Sequence, residues 1–337
     1  MTGATDRCDR LFVAAIIGCT LVGLAIRLVY GLGAHHGFEP LGDPFFYHHG
    51  ANLLADGGGF KQPYLLAVFG RAVEAADHPP LYMTILAGGS FVGLRSVTEH
   101  LVLSSLMGAA TIPVAALLGR RVGGRRVGVL AAALVAVAPQ VWLYDGMLLS
   151  ESLAILLATL AVLLAYRAAE QPDLRRFTAL GLVIGAAALT RAELALLVPL
   201  LAWPVAACAR TVPGRRRLGA AGLATVLAAG LTLPWAAYNL TRFEHPVFLS
   251  VQLEATLAGA NCADTYAGTQ LGGLTSTCLE GIDVFADQSV NAREYRRRVH
   301  DFVGENLARV PAVVGARVGR VTGVFRPAAQ LDFDVVL

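Results

Sequence analysis

Apolar stretches long enough to cross a lipid bilayer recur along this chain, and short clusters of arginine separate them. Of its 337 residues, 55% are hydrophobic and only 15% are charged, and the mean hydropathy is +0.59. A transmembrane helix needs about 20 apolar residues to cross a hydrocarbon core of about 30 Å. The composition therefore excludes an ordinary soluble domain and predicts an all-α integral membrane protein.

The arginine clusters predict how the chain is oriented in the membrane. There are four of them, and they contain Arg7 and Arg10; Arg120, Arg121, Arg125 and Arg126; Arg167, Arg175 and Arg176; and Arg210, Arg215, Arg216 and Arg217. Because cytoplasmic loops are enriched in Lys and Arg, all four clusters are expected in the cytoplasm. Seven crossings satisfy this, at roughly 11–33, 101–119, 127–145, 148–167, 177–190, 194–209 and 218–237. The N-terminus is then inside and the C-terminus outside.

Two regions are expected outside the cytoplasm. Residues 34–100 form a large first loop. Its apolar part, at 80–94, is too short to cross the membrane, which predicts a helix embedded in the membrane from the outer face. After Tyr238 the composition becomes mixed and polar, so we expect a membrane module at 1–238 and an extracytoplasmic C-terminal region at 239–337.

The cysteines and the residue bias carry two further expectations. Cys262 and Cys278 are the only cysteines expected outside, where disulfides persist, so we expect them to be bonded. Nearly all basic residues are arginine, and Ala, Gly and Val are abundant, which is typical of GC-rich bacterial genomes. The inner (cell) membrane of a bacterium is therefore the expected location. The net charge of +3, with arginines at helix ends, gives no support for nucleic-acid binding.

Asp43 is the first candidate catalytic residue. It follows the first span, in the sequence Gly42-Asp43-Pro44-Phe45-Phe46-Tyr47-His48-His49, and the segment 34–78 holds five of the eight histidines. A carboxylate in a partly dehydrated outer pocket can take a proton from an acceptor hydroxyl. Asp before Pro is also typical of a helix N-cap. Both roles stay open, because capping and catalysis do not exclude each other.

A divalent metal ion is an open alternative for the same loop. His48, His49, His78 and Asp77 could bind it together with Asp43, since imidazole and carboxylate suit such ions. No strict spacing such as HExxH supports this. His78 also precedes two prolines, which could simply start the embedded helix rigidly.

Arg191 and Glu193 lie within an otherwise apolar run and are the second candidate site. An ionisable group there costs a few kcal/mol, so it is a functional hypothesis by default. A guanidinium binds phosphate oxygens bidentately, which favours a lipid phosphate as the ligand of Arg191. The alternative is an internal ion pair of Arg191 with Glu193 or Asp145.

Asp145 and Glu151, expected on the same outer side, could orient this site or simply be polar turn residues. Arg27, near the outer end of the first span, is expected to snorkel.

The order of these motifs resembles glycosyltransferase family 39, the polyprenyl-phosphate-mannose mannosyltransferase-like branch of the GT-C superfamily. The resemblance covers roughly residues 11–260 and rests on the Asp43 loop, His78-Pro79-Pro80-Leu81-Tyr82, the arginine pair between later helices, Leu149-Ser150-Glu151-Ser152-Leu153 and Leu189-Thr190-Arg191-Ala192-Glu193. It implies a seven-helix module whose large first outer loop carries horizontal and embedded helices. It also implies that Asp43 is the catalytic base and that Arg191 lies near the donor phosphate.

The activity that this resemblance implies is an inverting transfer of mannose or another sugar from a polyprenyl-phosphate donor, among membrane lipids, to a hydroxyl of a protein, glycan or lipid outside the cytoplasm. Such a donor needs no nucleotide-binding fold, and no GxGxxG or Walker sequence follows a strand. Many relatives carry Asp-Glu where this chain has Asp43-Pro44, so a second carboxylate comes from elsewhere or is dispensable. Relatives also commonly continue with more helices, which implies that the chain is a truncated or minimal form.

The competing interpretation is a non-catalytic protein, either a lipid-phosphate transporter or an inactive partner subunit. Transporters usually place broken helices and charges near the bilayer midplane in paired halves. This chain gathers its charges in one asymmetric outer loop, which favours the enzyme.

Overall fold

The computed structural model describes residues 2–34, 40–209 and 213–328. Its regular structure in these ranges is helical, apart from an isolated bridge between Lys61 and Glu74. Arg210 and the side chain of Arg7, both in the predicted arginine clusters, lie outside the described part.

Fourteen α-helices occur in the described ranges. They are α1 Thr2–Val29, α2 Asp43–Ala55, α3 Pro63–Phe69, α4 Leu81–Phe91, α5 Val97–Val137, α6 Pro139–Trp142, α7 Glu151–Glu170, α8 Leu174–Ala188, α9 Trp203–Cys208, α10 Gly214–Leu240, α11 Gln252–Ala260, α12 Ala263–Tyr266, α13 Gln288–Glu305 and α14 Val310–Val321. Short 3-10 turns lie at Leu143–Met147, Ala192–Leu196, Ser276–Leu279 and Leu307–Arg309, and π-helical turns at Tyr30–Ala34 and Val198–Ala202.

The chain forms two compact units. Unit 1 contains Met1–Gly59 and Pro79–Trp235, and unit 2 contains Phe60–His78 and Ala236–Leu337.

In unit 1, α5 is a helical hairpin rather than one continuous helix. Gly123 and Gly124 leave the helical conformation, and Gly124 has φ 81°, which only glycine adopts readily. The two arms pack closely: a Cβ on Gly119 would lie 2.9 Å from the Val127 carbonyl oxygen, and one on Gly128 would lie 2.6 Å from that of Ala116. The chain therefore reverses inside the arginine cluster at 120–126, where the sequence predicts a cytoplasmic loop. The second arm ends at Val137 and not near 145, because Ala138 is extended and Pro139 starts α6.

Ion pairs define one end of unit 1, which we call the arginine end. Asp9 Oδ1 of α1 accepts from Nη2 of Arg120 and of Arg125, at 3.1 and 2.8 Å. Arg121 pairs with Glu170 at the end of α7. The start of α1, the turn of α5 and the end of α7 thus meet at one end. Because α1 runs away from the arginine end and α7 runs towards it, the end of α1 and the start of α7 lie at the opposite end, which we call the acidic end.

Four helices in the described residues are long and apolar enough to cross a membrane: Cys8–Gly33, Val97–Val137, Glu151–Glu170 and Gly214–Leu240. Leu81–Phe91 and Ala192–Cys208 are shorter apolar segments. The chain is therefore an all-α, multi-pass membrane protein, while the count of seven crossings stays a prediction. The expected span at 194–209 is broken into a 3-10 turn, a π-helical turn and α9, in a segment that contains Pro199 and Pro204.

Small residues let the helices of unit 1 pack closely. A core formed by α7, α8, α9, α10 and the π-helical turn before α9 contains Ala161, Ala165, Ala202, Ala206, Ala224 and Ala228 around Phe177 and Ile184. A Cβ on Gly181 would lie 2.6 Å from the carbonyl oxygen of Ala224. Close approach of this kind is typical of helices that associate in a membrane.

Unit 2 joins part of the first loop to the C-terminal region. Arg242 pairs with Glu74 at 2.7 Å and lies 4.1 Å from the centre of the Tyr238 ring. The Val251 amide donates to the carbonyl of Ala76 at 2.9 Å. The segment 60–78 therefore packs with residues after 235. In the same unit Cys262 and Cys278, 16 positions apart, form the disulfide that the sequence predicts.

Candidate functional site

Asp43 begins α2 at the acidic end of unit 1. Gly42, with φ 62°, occupies the N-cap position and makes no side-chain cap, so Asp43 lies in the first helical turn, followed by Pro44. The expectation that Asp43 itself is the N-cap is off by one position. A carboxylate in the first turn is still favoured by the helix dipole. Asp43 and Tyr47 are four positions apart and so share one face of α2.

Tyr47 joins Asp43 to the rest of the site. It is 1% exposed, packs edge to face on Tyr82 with ring centres 4.9 Å apart, and is hydrogen-bonded to Ser150. Burial raises the pKa of Tyr47 well above its usual value, and the charges of Asp43 and Glu151 raise it further. The phenol therefore stays protonated, with both carboxylates in its electrostatic surroundings.

Arg191 lies between two carboxylates. Its Nη1 pairs with Glu151, which begins α7, and its Nε donates to Glu193 Oε1 at 2.6 Å. Burial acts to lower the pKa of Arg191, but Glu151, Glu193 and Tyr47 raise it on balance. The side chain is 38% exposed, and a guanidinium has five N–H donors, so it can bind a further anion. The ion pair of Arg191 with Glu193, which the sequence leaves open as an alternative, is present, and Arg191 forms a second ion pair with Glu151.

Asp145 does not join this surface cluster. Its Oδ2 accepts from Arg27 Nε at 2.6 Å, and neither side chain is exposed. Arg27 also donates to the Gly23 carbonyl at 2.9 Å. The expectation that Arg27 snorkels to the interface is therefore wrong, because a buried carboxylate from the turn before α7 satisfies it. A Cβ on Gly108 would overlap the Asp145 carboxylate, so that position requires glycine.

A buried chain of hydroxyl groups connects this ion pair to Tyr82. The Tyr82 hydroxyl donates to Ser104 Oγ at 3.0 Å, and Ser104 Oγ donates to Ser152 Oγ at 3.1 Å. Ser152 in turn interacts with the Asp145 carboxylate. These residues give Tyr82, and through it Tyr47, a fixed position. Ser104 and Ser152 are not among the site residues predicted from the sequence, where their signal is a small polar residue inside an apolar helix.

His48 and His49 serve the packing of α2. His48 Nδ1 lies 3.0 Å from Nδ1 of His100, whose Nε2 lies 3.0 Å from Ser90 Oγ. Burial, with smaller contributions from His100 and His49, lowers the pKa of His48 to about 4. Burial also lowers the pKa of His49, which stacks on Phe45 with ring centres 4.0 Å apart. Both rings are therefore neutral near pH 7, and His48 connects α2 to α5 through His100.

The metal interpretation gains no support from the described residues. No group of three or more His, Cys, Asp or Glu side chains among them could hold a metal ion. His48 is committed to His100, and His78 belongs with Asp77 to unit 2.

The fold and the site define a multi-pass helical membrane protein in which Glu151, Arg191 and Glu193 form a charged cluster at the end opposite the arginine clusters. Residues 77–238 match the family described as dolichyl-phosphate-mannose-protein mannosyltransferase. This match confirms, over these residues, the resemblance seen in the sequence, and it suggests a membrane glycosyltransferase of the GT-C type. The match includes Asp145, Glu151 and Arg191, whereas Asp43 precedes it. No curated protein matches the chain.

Proposed function

We propose that the chain transfers a sugar from a polyprenyl-phosphate carrier to an acceptor hydroxyl, with Asp43 as the base and Arg191 at the donor phosphate. The observation that carries the proposal is the arrangement around Tyr47. Asp43 and Glu151 both act on this one phenol, and Glu151 pairs with Arg191. A proton acceptor and a phosphate-binding cation thus belong to one cluster at the acidic end.

The reaction needs both groups. Asp43 takes the proton of the acceptor hydroxyl while its oxygen attacks the anomeric carbon. The bond between that carbon and the phosphate oxygen breaks, and its electron pair leaves with the polyprenyl phosphate. Arg191 stabilises the negative charge on this leaving phosphate. Attack from the face opposite the phosphate inverts the anomeric configuration.

The two carboxylates around Arg191 have a distinct role in this scheme. They hold the guanidinium in place and leave part of it exposed for the donor. The charge of Glu151 acts on Tyr47 together with that of Asp43, so Glu151 can serve as the second carboxylate where relatives carry an acidic residue directly after the first.

The sidedness of the site follows from the arginines. The arginine end carries the clusters expected in the cytoplasm, so the acidic end faces the outside of the membrane. We infer seven crossings in the inner membrane of a bacterium, with a protein, glycan or lipid acceptor on the outer side.

Donor cleavage tests the proposal. The purified chain in phospholipid nanodiscs is incubated with polyprenyl-phosphate-mannose and a cell-envelope fraction, and mass spectrometry follows both lipids. We expect release of polyprenyl phosphate and gain of one hexose by an acceptor. Movement of the intact lipid-linked sugar between leaflets of a proteoliposome, without cleavage, would instead establish the transporter.

A further inference from the structure

Unit 2 contains a cavity of about 420 Å³ that the proposed reaction does not use. It lies among α3, α11 and α13 and the segment that ends at His78. Its lining combines aromatic rings with amides and a carboxylate, among them Tyr64, Phe69, Tyr295, Gln62, Gln288 and Asp77. Its volume is typical of pockets for small molecules, in which a few polar groups fix the orientation of the ligand.

The polar groups of this cavity are held in fixed positions. Asp77 Oδ2 accepts from Gln288 Nε2 at 2.8 Å and from Gln62 Nε2 at 3.4 Å. The amide oxygens are fixed as well, because Gln288 Oε1 accepts from the Ala76 amide at 2.8 Å and Gln62 Oε1 accepts from the Tyr64 amide at 3.1 Å. An amide nitrogen carries two protons, so each glutamine can donate once more. The wall thus presents oriented donors beside a carboxylate acceptor.

Two aromatic rings at the cavity are partly open to solvent. Tyr64 is 48% and Phe69 is 54% exposed. They meet edge to face with ring centres 6.3 Å apart, and Phe69 packs on Phe285 at 5.3 Å. Phe285 therefore helps to hold the Phe69 ring in place, while the exposed parts of the Tyr64 and Phe69 rings can contact a ligand.

This combination matches the chemistry of a sugar. A pyranose presents C–H groups that pack on an aromatic ring, and hydroxyls at its edge that both donate and accept hydrogen bonds. Amide nitrogens can donate hydrogen bonds to such a hydroxyl, and a carboxylate can accept one from it. The described lining contains no Lys or Arg, so a phosphate or other anion would meet only the negative charge of Asp77.

We propose that this cavity binds a neutral carbohydrate, and that the acceptor of the transfer is therefore a glycan; the second statement rests on the proposed function. Pre-oriented groups reduce the entropy that a ligand loses on binding. A sugar of one or two rings fits the volume.

Binding without donor tests the inference independently of transfer. The full chain is placed in phosphatidylcholine nanodiscs, because sugar-headed detergents would compete, and saturation-transfer NMR is recorded with mannobiose and with cellobiose. We expect transfer to the ring C–H protons of at least one disaccharide, for the wild type and equally for Asp43→Asn. Tyr64→Ala and Gln288→Leu should each weaken binding by about tenfold or more, a factor that one lost contact can supply.

Phe248→Ala is the matched control, since this exposed aromatic residue of unit 2 does not line the cavity. Its binding should equal that of the wild type. Absence of saturation transfer at millimolar concentrations of both sugars, or unchanged binding in Tyr64→Ala, overturns the inference, as does selective binding of trialanine in their place. Sugar binding without any transfer contradicts the proposed function alone, and transfer without sugar binding contradicts this inference alone.

Discussion

Arg27 Nε and Asp145 Oδ2 lie 2.6 Å apart, and neither side chain has exposed surface. The two residues are 118 positions apart in the chain, on α1 and in the turn before α7. Their contact fixes the end of the first helix against the turn that leads to Glu151. Through Ser152 and Ser104 it also reaches Tyr82, against which Tyr47 packs.

Removing one partner of this pair should strongly destabilise the protein. Arg27→Met leaves the Asp145 carboxylate buried without its cation, which typically costs about 3 to 5 kcal/mol. The double variant Arg27→Met with Asp145→Leu should recover most of the loss, because neither charge then remains. Arg120→Met is the control, since its pair with Asp9 is exposed and such pairs contribute about 0 to 1 kcal/mol. Thermal unfolding in nanodiscs measures all three, and equal stability of Arg27→Met and Arg120→Met would contradict the assignment.

Stability should fall as the pH drops from 6.5 towards 4. The folded-state pKa of His48 is about 4 against an ordinary value of 6.5, so between these values the unfolded chain binds more protons. The contribution of the neutral ring to the free energy of unfolding is complete above pH 6.5 and is lost as the pH falls towards 4. His48→Gln should flatten the dependence of the melting temperature on pH, whereas His300→Gln, at an 89% exposed side chain, should leave it as in the wild type. A steep acid loss that persists in His48→Gln would exclude His48 as its source.

Arg191 should matter for transfer through its hydrogen-bond geometry as well as its charge. Removing one stabilising donor from a developing anion typically costs about 10² to 10³ in rate, which we expect for Arg191→Gln. Arg191→Lys keeps the charge but loses the planar guanidinium group that binds phosphate bidentately, so its rate should lie between those of Arg191→Gln and the wild type. Arg176→Gln, at the arginine end, serves as the control. If Arg191→Gln turned over donor as fast as Arg176→Gln, the internal ion pairs would be the whole role of Arg191.

The arginine end should face the cytoplasm. In a chain with Cys8 and Cys208 replaced by Ser, Val122→Cys places an exposed thiol beside the turn of α5, and Leu253→Cys places one in unit 2. A membrane-impermeant maleimide applied to intact cells should label position 253 and leave position 122 unlabelled until the cells are opened. Labelling of position 122 from outside would exclude the proposed topology.

Much of the fold can be predicted from the sequence, because bilayer thickness sets helix length and arginine distribution sets orientation. The reversal of α5 within 120–126 follows in this way. Contacts between distant positions could not be predicted, since no periodicity connects Arg27 to Asp145 or His48 to His100. Residues 60–78 show the same limit: their place in unit 2 depends on partners after 235, such as Arg242 for Glu74.

The candidate site could likewise be predicted only in part from the sequence. The rarity of charge in an apolar run indicates Arg191 and Glu193, and the structure places both in one cluster with Glu151. The role of a histidine depends on what surrounds it, so the composition of the first loop left a metal site open as an alternative, whereas in the structure His48 pairs with His100. Ser104 and Ser152 are inconspicuous in the sequence, and their contacts with each other, with Tyr82 and with Asp145 depend on the packing of distant helices.

The most direct test of the account is the rate of sugar transfer by Asp43→Asn. Asparagine keeps the shape of the side chain but cannot act as the base, whose contribution is typically about 10² to 10⁴ in rate. Asp43 lies in the first turn of α2, where the loss of a negative charge costs about 0.3 to 1 kcal/mol of dipole stabilisation, while asparagine keeps an oxygen that accepts hydrogen bonds. Asp56→Asn, an exposed change at the other end of the same helix, is the matched control. We expect Asp43→Asn to melt near the wild type and to transfer sugar at least about a hundredfold more slowly, while Asp56→Asn transfers normally. Turnover at the wild-type rate by Asp43→Asn would contradict the role of Asp43 as the base.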